Sequence, residues 1–461
     1  MNKITPGYYQ VNSFFLLSEE GRNIVDLRGF YTEINLFESI LTPTLSGYVV
    51  LNETYNLISG VSNSLPIMGN EIIYLELQLP DFYEYDEISS SWKPGKPNVI
   101  KFNGRITDVK ERSILNSEKA QSYEIHFMSE EFILDKNFKI SQFFTGTTSD
   151  IAKKIFDKLA SDYPSEFEQS SGIHKIIIPN WNPLKAINWL ASRSISEKYN
   201  TSPMLFYQTL YSENTYVPKY WFVSLDYLLD WEVPKKTVFF RPAAAINWNP
   251  SDVTDPEFYM KFSNAINYNI VNSFDTIESN NAGLFNSLLI THDIVNKTWK
   301  SLPWKYDEKF NDYKHTVKEN PGKIYSGNRD RFSRNFSDYP SPNKYDSSLL
   351  MMTSTGTPES PNSLDKISSP RNSRLASLNS FKINLLIPGE GTIESGDIIY
   401  FEMPSPEIND SKDKGKLDEF YNGTYLVTAM RHTFTRMEYK VTLQCAKESL
   451  RKEVRGYKSG E

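Results

Sequence analysis

Hydrophobic residues recur with two different spacings along the chain. From residue 1 to about 145, apolar positions alternate with polar ones and are rich in β-branched and aromatic types, as over Ile73–Leu77. That period of two is typical of strands with one buried face and one wet face. Turn residues punctuate the alternation, for example at Leu45-Ser46-Gly47 and Phe102-Asn103-Gly104. The pattern predicts a first antiparallel β-domain over residues 1–145.

A helical spacing replaces the alternation near Thr147. Ile151, Ile155 and Leu159 lie four residues apart, and Thr148 or Ser149 is placed to cap the N-terminus of that helix. A second helix is predicted at Asn182-Pro183, because Asn182 can accept from the free N–H groups and Pro183 lacks one. Short strands are predicted at His174–Ile178, Met204–Gln208 and Tyr220–Leu225. Residues 146–240 are therefore expected to form a small α/β domain.

Period two then returns in two separate segments. Residues 241–280 and 376–450 carry it, and together they are predicted to form a second, discontinuous β-domain. Between them lies an insertion, residues 281–375, whose second half is crowded with Ser, Pro and Asn and has no apolar period. That composition predicts an extended and partly mobile segment. Residues 451–461 form a tail.

The strongest signal is self-similarity between the first and last β-segments. Four stretches match in order: Asn70–Leu77 with Gly396–Met403, Phe102-Asn103-Gly104 with Tyr421-Asn422-Gly423, Tyr123–Phe127 with Tyr439–Leu443, and Glu33–Phe37 with Lys382–Leu386. Short alternating strands can resemble one another by composition alone. The order of the elements and the repeated Gly favour two copies of one domain. A closed ring of three such chains would present six similar domains, which suits an adapter between six-fold and three-fold partners.

The same segments resemble a known family. Tyr31–Glu53, Leu65–Leu77, Tyr123–Glu131, Ile178–Trp181 with Ala186-Ile187, and Gly423–Ser449 are similar to the baseplate central hub proteins of contractile-tailed bacteriophages. Their tube domains have relatives in type VI secretion spike proteins. The resemblance covers most of the chain except the Ser/Pro/Asn-rich insertion.

The resemblance implies a specific architecture and role. It implies a mainly β fold with an α/β domain, in which two tube-like antiparallel β-barrels per chain assemble as a homotrimer. The trimer would be a structural hub of the tail baseplate, between the hexameric tail tube or its initiator proteins and the trimeric spike or needle. Other baseplate subunits would surround it, and genome DNA would pass only transiently through its channel. The expected location is the virion, after assembly in the host cytoplasm.

Charge and composition narrow the function classes. The 461 residues have a formal net charge of −7, which gives no global attraction to phosphate or to an anionic membrane. The first residues lack a signal-peptide pattern, and no apolar run is long enough for a membrane span. Cys445 is the single cysteine and the five histidines are scattered, so neither a disulfide nor a metal cluster is predicted.

Candidate chemistry is sparse. Gly389-Glu390-Gly391 followed by Gly396 lacks the Lys and Ser/Thr of a phosphate loop and is interpreted as a turn. Glu130-Glu131 would point to opposite faces at the end of a strand. Cys445 has no local His partner, so a buried thiol is expected. No catalytic residue, cofactor or metal is predicted, and the chain is interpreted as non-enzymatic.

Two alternatives remain open. A tail-associated peptidoglycan hydrolase would need carboxylates converging in a pocket. A carbohydrate-binding attachment module would need exposed aromatic rings, and tryptophans occur at Trp181, Trp189, Trp221, Trp231, Trp248, Trp299 and Trp304. Two weaker hypotheses concern charge: an exposed mixed-charge helix over Lys447–Glu461, and a grip on an acidic partner by Arg329, Arg331, Arg334, Arg371 and Arg374.

One prediction concerns the channel. Tyr74 and Glu76 share the face of their strand that lies opposite Ile73 and Leu75, and Tyr400 and Glu402 repeat this in the second copy. Glu71 and Asp397 are also paired acids. All four acids are candidate channel-facing positions in a pseudo-six-fold ring, where carboxylates would repel phosphate. The alternative is that these acids solvate an outer sheet face.

Overall fold

Antiparallel strands dominate the structure, a computed structural model. It describes residues 7–18, 23–54, 65, 67–69, 71–79, 83–86, 91–94, 99–114, 120–159, 161–211, 217–240, 263–273, 275, 278–279, 282–293, 297–317, 367–389, 391–405, 417–418 and 420–448. The predictions for the second half of the insertion, for Arg329, Arg331 and Arg334, for Trp248, and for the tail beyond Glu448 lie outside these residues.

The strands fall into two groups along the chain. Those of the first half are β1 Gln10–Leu17, β2 Ile24–Asp26, β3 Tyr31–Ser39, β4 Ser46–Glu53, β5 Ile72–Gln78, β6 Tyr83–Asp86, β7 Ser91–Pro94, β8 Val99–Ile114, β9 Gln121–Ser129, β10 Ile140–Gly146, β11 Ser165–Phe167 and β12 His174–Trp181. Those of the second half are β13 Met204–Thr209, β14 Lys219–Ser224, β15 Lys236–Phe239, β16 Asn267–Ser273, β17 Asn286–Asp293, β18 Thr298–Lys305, β19 Phe381–Pro388, β20 Ile398–Glu402, β21 Gly423–Thr435 and β22 Tyr439–Lys447.

The helices among the described residues are short and are interspersed with the strands along the chain. They are α1 Glu130–Asn137, α2 Thr148–Phe156, α3 Pro183–Ala191, α4 Leu225–Leu229, α5 Tyr306–Lys309 and α6 Ser368–Ser377, with single 3₁₀ turns at Asp157–Leu159 and Phe310–Asp312. The expected mainly β fold with an α/β region is confirmed.

One large sheet of 13 strands contains both predicted copies. Neighbouring strands in this sheet follow the order β16-β19-β22-β21-β3-β4-β9-β8-β5-β1-β2. In addition, β20 pairs with β21, and β15 pairs with β20. Among the described residues this sheet is an open path, so the pairings do not show two separately closed barrels. The copies are instead joined edge to edge, because β21 of the second pairs with β3 of the first.

The two copies share one topology. In the first, β3, β4, β9, β8 and β5 are consecutive neighbours, and in the second the neighbours are β16, β19, β22, β21 and β20. The strands also follow one another along the chain in the same order in both sets. The predicted internal duplication is therefore confirmed. β15 departs from it, because β15 pairs parallel with β20 whereas β1 pairs antiparallel with β5.

A shared irregularity fixes the correspondence residue by residue. The longest strand of each copy has a β-bulge against the last strand, at Thr107 in β8 and at Thr428 in β21. Each threonine hydroxyl donates to a carbonyl oxygen of that last strand, at 3.3 Å to His126 and 3.0 Å to Gln444. Bulges are specific features of a strand pair. Their coincidence makes Thr107 the counterpart of Thr428.

This anchor confirms one predicted match and corrects three. β5 corresponds to β20 as predicted, since Arg105 and Leu426 each lie two residues before the bulge and pair with Ile72 and Ile398. Gly104 corresponds to Tyr425 rather than to Gly423, and Tyr123 to Val441 rather than to Tyr439. Glu33–Phe37 of β3 corresponds to β16, and Lys382–Leu386 belongs to the counterpart of β4. A shift of two keeps every side chain on its face, so a period of two cannot detect it.

The main core lies against one face of this sheet. Ile73, Leu75 and Leu77 of the first copy and Ile399 and Phe401 of the second are fully buried in a single cluster. A separate core fills the α/β domain, where α2 and α3 pack on β13 and β14.

Capping in the α/β domain differs from the prediction. Thr147, not Thr148 or Ser149, caps α2, accepting from the Asp150 N–H at 3.2 Å. At α3, Pro183 occupies the first turn as predicted, but the Asn182 side chain donates to the Asp135 carbonyl instead of accepting. The Asp135 carboxylate supplies the cap from α1, accepting from the Leu184 N–H at 2.7 Å.

Candidate functional site

The predicted acidic face of the first copy exists in the structure. Glu76 is half-buried, and it accepts a hydrogen bond from the Tyr74 hydroxyl at 2.8 Å. Burial, and then this hydrogen bond, raise the pKa of Tyr74 to about 12. Lys101 of the neighbouring strand lies 4.0 Å from the same carboxylate. In the second copy Tyr400 and Glu402 are likewise half-buried, opposite the core residues of β20.

The other predicted pair of acids has the same local role in both copies. The Glu71 carboxylate is buried and accepts from the Met68 N–H at 2.7 Å, and the Asp397 carboxylate accepts from the Glu394 N–H at 2.8 Å. Each acid therefore closes the turn that precedes its strand. Whether any of the four acids faces a channel is a property of an assembled ring and stays a prediction.

The junction between the two copies carries a polar cluster on the sheet face opposite the main core, and its central residue, Asn35, is fully buried. The Arg431 guanidinium donates to Asn35 at 2.8 Å, to Tyr48 at 3.0 Å and to Glu33 at 3.2 Å. The Thr433 hydroxyl donates to the same Asn35 oxygen at 2.9 Å. These side-chain bonds add to the backbone pairing of β21 with β3, and the buried apolar residues on the opposite face favour the same register.

A buried carboxylate ties the same junction to the α/β domain. Glu38 of β3 accepts from the Leu210 N–H at 2.7 Å and from the Ser395 N–H at 2.9 Å. Gln208 adds a bond from the Leu45 N–H at 3.0 Å. Sequence patterns did not indicate Glu38, because its partners lie far away along the chain.

Arg374 and Arg371 do not reach outward. Arg374 is 1% exposed and pairs within the chain, at 3.2 Å from Asp226 and 3.6 Å from Glu448. Arg371 is also part-buried and donates to the Met204 carbonyl at 3.3 Å. The hypothesis that these two arginines grip a partner is therefore wrong. We refer to Asp226, His315, Arg374 and Glu448 as the ion cluster.

The start of the predicted tail is also buried. Lys447 belongs to β22, and its ammonium donates to the carbonyls of Phe420 and Asn422 at 3.2 and 3.1 Å. Glu448 accepts from His315 at 2.6 Å. These two residues are structural, so the exposed mixed-charge helix cannot begin at Lys447.

The candidate catalytic groups are all in structural contacts. Glu130 and Glu131 begin α1 rather than ending a strand. Glu130 pairs with Arg105 at 2.6 Å, and the buried Glu131 accepts from Ser161 at 2.6 Å. Burial raises the pKa of Glu131 and of the fully buried Cys445 thiol. The Gly389–Gly396 stretch joins β19 to β20 as the predicted turn, with Gly391 and Gly396 at positive φ.

Several tryptophans are already in contact with cations and rings. Lys219 lies 3.6 Å from the ring centre of Trp221, which also stacks with Tyr207 at 6.5 Å. Trp181 and Trp189 contact each other edge to face at 5.4 Å. These contacts favour a packing role over a carbohydrate platform.

Neither metal nor membrane features emerge from the described part of the chain. It contains no group of three or more His, Cys, Asp or Glu side chains that could hold an ion. None of its helices is long and apolar enough to cross a membrane.

The fold is similar to that of a solved prophage tail protein. The 43 kDa tail protein of prophage MuSo2 from Shewanella oneidensis aligns with a TM-score of 0.52 at 8% identity, over 95% of this chain and 98% of that chain. A tail protein from Neisseria meningitidis MC58 aligns with a TM-score of 0.48 at 10% identity, over 95% and 97%. No protein-family model and no curated protein matches the chain. The similarity to the Shewanella structure confirms the expected tail-protein fold. At 8% identity it shows the fold alone and not the function.

Proposed function

We propose that this chain is a structural, non-enzymatic hub of a phage-type contractile-tail baseplate. Three copies form a ring of six similar β-domains between the hexameric tail tube and the trimeric spike or needle. The duplicated topology, joined edge to edge within one sheet, carries this proposal. It gives each chain two successive segments of a ring wall, which is what matching six-fold and three-fold neighbours requires.

The proposed partners follow from this geometry and from the fold. They are two further copies of this chain, the tail spike or needle, the tail tube or its initiator proteins, and other baseplate subunits, all within the virion tail. Assembly takes place in the host cytoplasm. The likeness to the Shewanella prophage tail protein supports the fold on which this rests.

The channel follows from the same ring. Glu76 and Glu402 occupy equivalent positions on the wet face of the two copies, so three chains display six such carboxylates around the axis. A negative wall repels the phosphate backbone, and genome DNA then passes without binding. Glu71 and Asp397 add charge at the preceding turns.

Electron microscopy of the assembled protein tests this function. We expect three-fold class averages with an open centre, and a density for the ring between tube and spike in whole tails. A solid particle, or a ring with another number of chains, would contradict the proposal.

A further inference from the structure

Among the strand edges that the described residues leave unpaired, two are counterparts of the two edges that join inside the chain. β16, the counterpart of β3, ends the large sheet on one side. The outer half of β8 is the counterpart of the half of β21 that pairs with β3, and among the described strands it pairs only with β9. We call these the β16 edge and the β8 edge.

The β8 edge leaves an apolar side chain exposed that is covered at the equivalent position of the second copy. Phe434 of β21 is 0% exposed beside β3, whereas its counterpart Ile114 is 74% exposed. Val271 on the β16 edge is 50% exposed. Long exposed edges with apolar side chains invite another strand, and natural proteins usually cover or disrupt them.

We propose that the β8 edge of one chain pairs antiparallel with the β16 edge of a second copy, repeating between chains the β21–β3 junction found within each chain. The proposal rests on the trimeric ring proposed above. It specifies the contact between neighbouring chains of that ring, which we call the seam. Such a contact is head-to-tail, so it closes a ring when the rotation fits.

The internal junction gives the register of this seam. Thr433 faces Asn35 and Phe434 faces Ile34 across the junction. The bulge-anchored correspondence converts these pairs into Ser113 facing Asn269, and Ile114 facing Tyr268. In the same way the pair Arg431–Phe37 becomes Lys110–Asn272.

The chemistry of the junction is retained at these positions. The hydroxyl of Thr433 donates to Asn35, and the seam offers a hydroxyl at Ser113 opposite an amide at Asn269. The cation of Arg431 becomes that of Lys110. The acceptors of the cation change, because Glu33 corresponds to Asn267 and Tyr48 to Asn384, so the contact that the seam repeats is the pair of hydroxyl and amide.

Matching irregularities support the same pairing. β8 has an extra residue between Lys110 and Ser113, where Glu111 has a φ of 50°, and β16 has one between Ile270 and Asn272. The internal junction has neither. In the proposed register the two bulges face each other, so pairs on both sides remain aligned.

Disulfide trapping tests the seam directly. Residues directly opposite in antiparallel strands have Cα atoms about 4.5–5.5 Å apart, within the range of a disulfide. We expect the double variant Ser113→Cys/Asn269→Cys, oxidised under mild conditions, to give covalent dimers and trimers on non-reducing gels. The single variants S113C and N269C are the matched controls and should stay monomeric there. Native Cys445 is fully buried and should not interfere.

A second variant does not depend on disulfide geometry. Ile114→Glu places a charge in the proposed seam at an exposed position, and Ile177→Glu does the same on the exposed β12 of the α/β domain. Mass photometry should show that the dissociation constant of the trimer is raised by about tenfold or more in I114E and is unchanged in I177E.

The outcomes separate the seam from the ring. The proposed seam is overturned if the wild-type protein is a trimer but the double variant does not cross-link, or if I114E still forms an intact trimer. Either result leaves the proposal of a trimeric ring standing. Equal cross-linking in the single variants indicates like edges pairing and also overturns the seam. A wild-type protein that stays monomeric, with no cross-linking in the double variant at the highest soluble concentration, contradicts both.

Discussion

At the residue scale, the ion cluster has the clearest energetic role. Arg374 is enclosed with two carboxylates, from Asp226 and Glu448, and its guanidinium also donates to the Lys314 carbonyl at 2.8 Å. Asp226 comes from the α/β domain, Glu448 follows β22 and Arg374 lies on α6. The cluster therefore joins three parts of the chain at one buried point.

Removing the cation should destabilise the fold strongly. Arg374→Met leaves two buried carboxylates without their cation, and we expect a loss of about 3–5 kcal/mol in the free energy of unfolding. Urea denaturation measures it. The control is Arg28→Met, which removes an arginine paired with Asp26 on the surface and should change stability little. Equal effects in the two variants would contradict a structural role for the cluster.

The same cluster predicts loss of stability in acid. Burial alone would raise the pKa of Glu448, but His315 and Arg374 lower it below its ordinary value of 4.5. A carboxylate with a depressed pKa stabilises the folded state fully above its unfolded pKa and loses this contribution as the pH falls through its folded pKa. The urea concentration at the unfolding midpoint should therefore decrease as the pH falls below about 4.5. This decrease should be less steep in Glu448→Gln. An identical acid profile in E448Q would show that another group is responsible.

Glu131 is the residue at which a lytic activity can be tested. It is a buried acid with a raised pKa, a property that general acids share. Its bond from Ser161 and its place in the first turn of α1 indicate a structural role instead. We expect no fall in the turbidity of a cell-wall suspension with the purified protein. Clearing that Glu131→Gln abolishes would contradict the non-enzymatic proposal.

Single residues were the least predictable part of the chain. The cap of α3 comes from Asp135, on a separate helix, because a carboxylate can reach a free N–H from any element packed nearby. The sequence predicts that Arg374 binds an acidic partner chain, whereas its carboxylate partner Asp226 lies in the same chain, 148 residues away. Local patterns contain no information on such contacts.

At the element scale, the paired bulges offer a matched comparison. Thr428 is buried and Thr107 is exposed, yet both hydroxyls donate to the neighbouring strand. Replacing a buried donor leaves its acceptor unsatisfied, whereas water replaces an exposed one. Thr428→Val should cost about 1–3 kcal/mol in urea denaturation, and Thr107→Val should cost much less. A larger loss at Thr107 would contradict the assigned burial.

The positions of the strands and the buried face of each strand could be predicted from the sequence, because a period of two shows which side of a strand is buried. That is why the match of β5 with β20 held, and why Gly104 was misplaced by two residues without any change of face. The union of β21 with β3 could not be predicted, since backbone hydrogen bonding between strands leaves little trace in side-chain pattern.

At the scale of the whole molecule, the duplicated sheet is the feature that links fold to function. Its two copies share the order of strands, the bulge and the turn-closing acid. Composition and repeats predicted this duplication, while closure into a ring depends on contacts between chains.

The central claim is that six equivalent domains surround one axis, and the radii of Glu76 and Glu402 in a high-resolution electron cryo-microscopy map of the assembled ring test it most directly. We expect three chains, with the two carboxylates at radii that differ by no more than one strand spacing, about 5 Å, and both facing the channel. A clearly larger difference would contradict the pseudo-six-fold ring. Equal radii on the outer wall would preserve the symmetry and contradict the channel role of these acids.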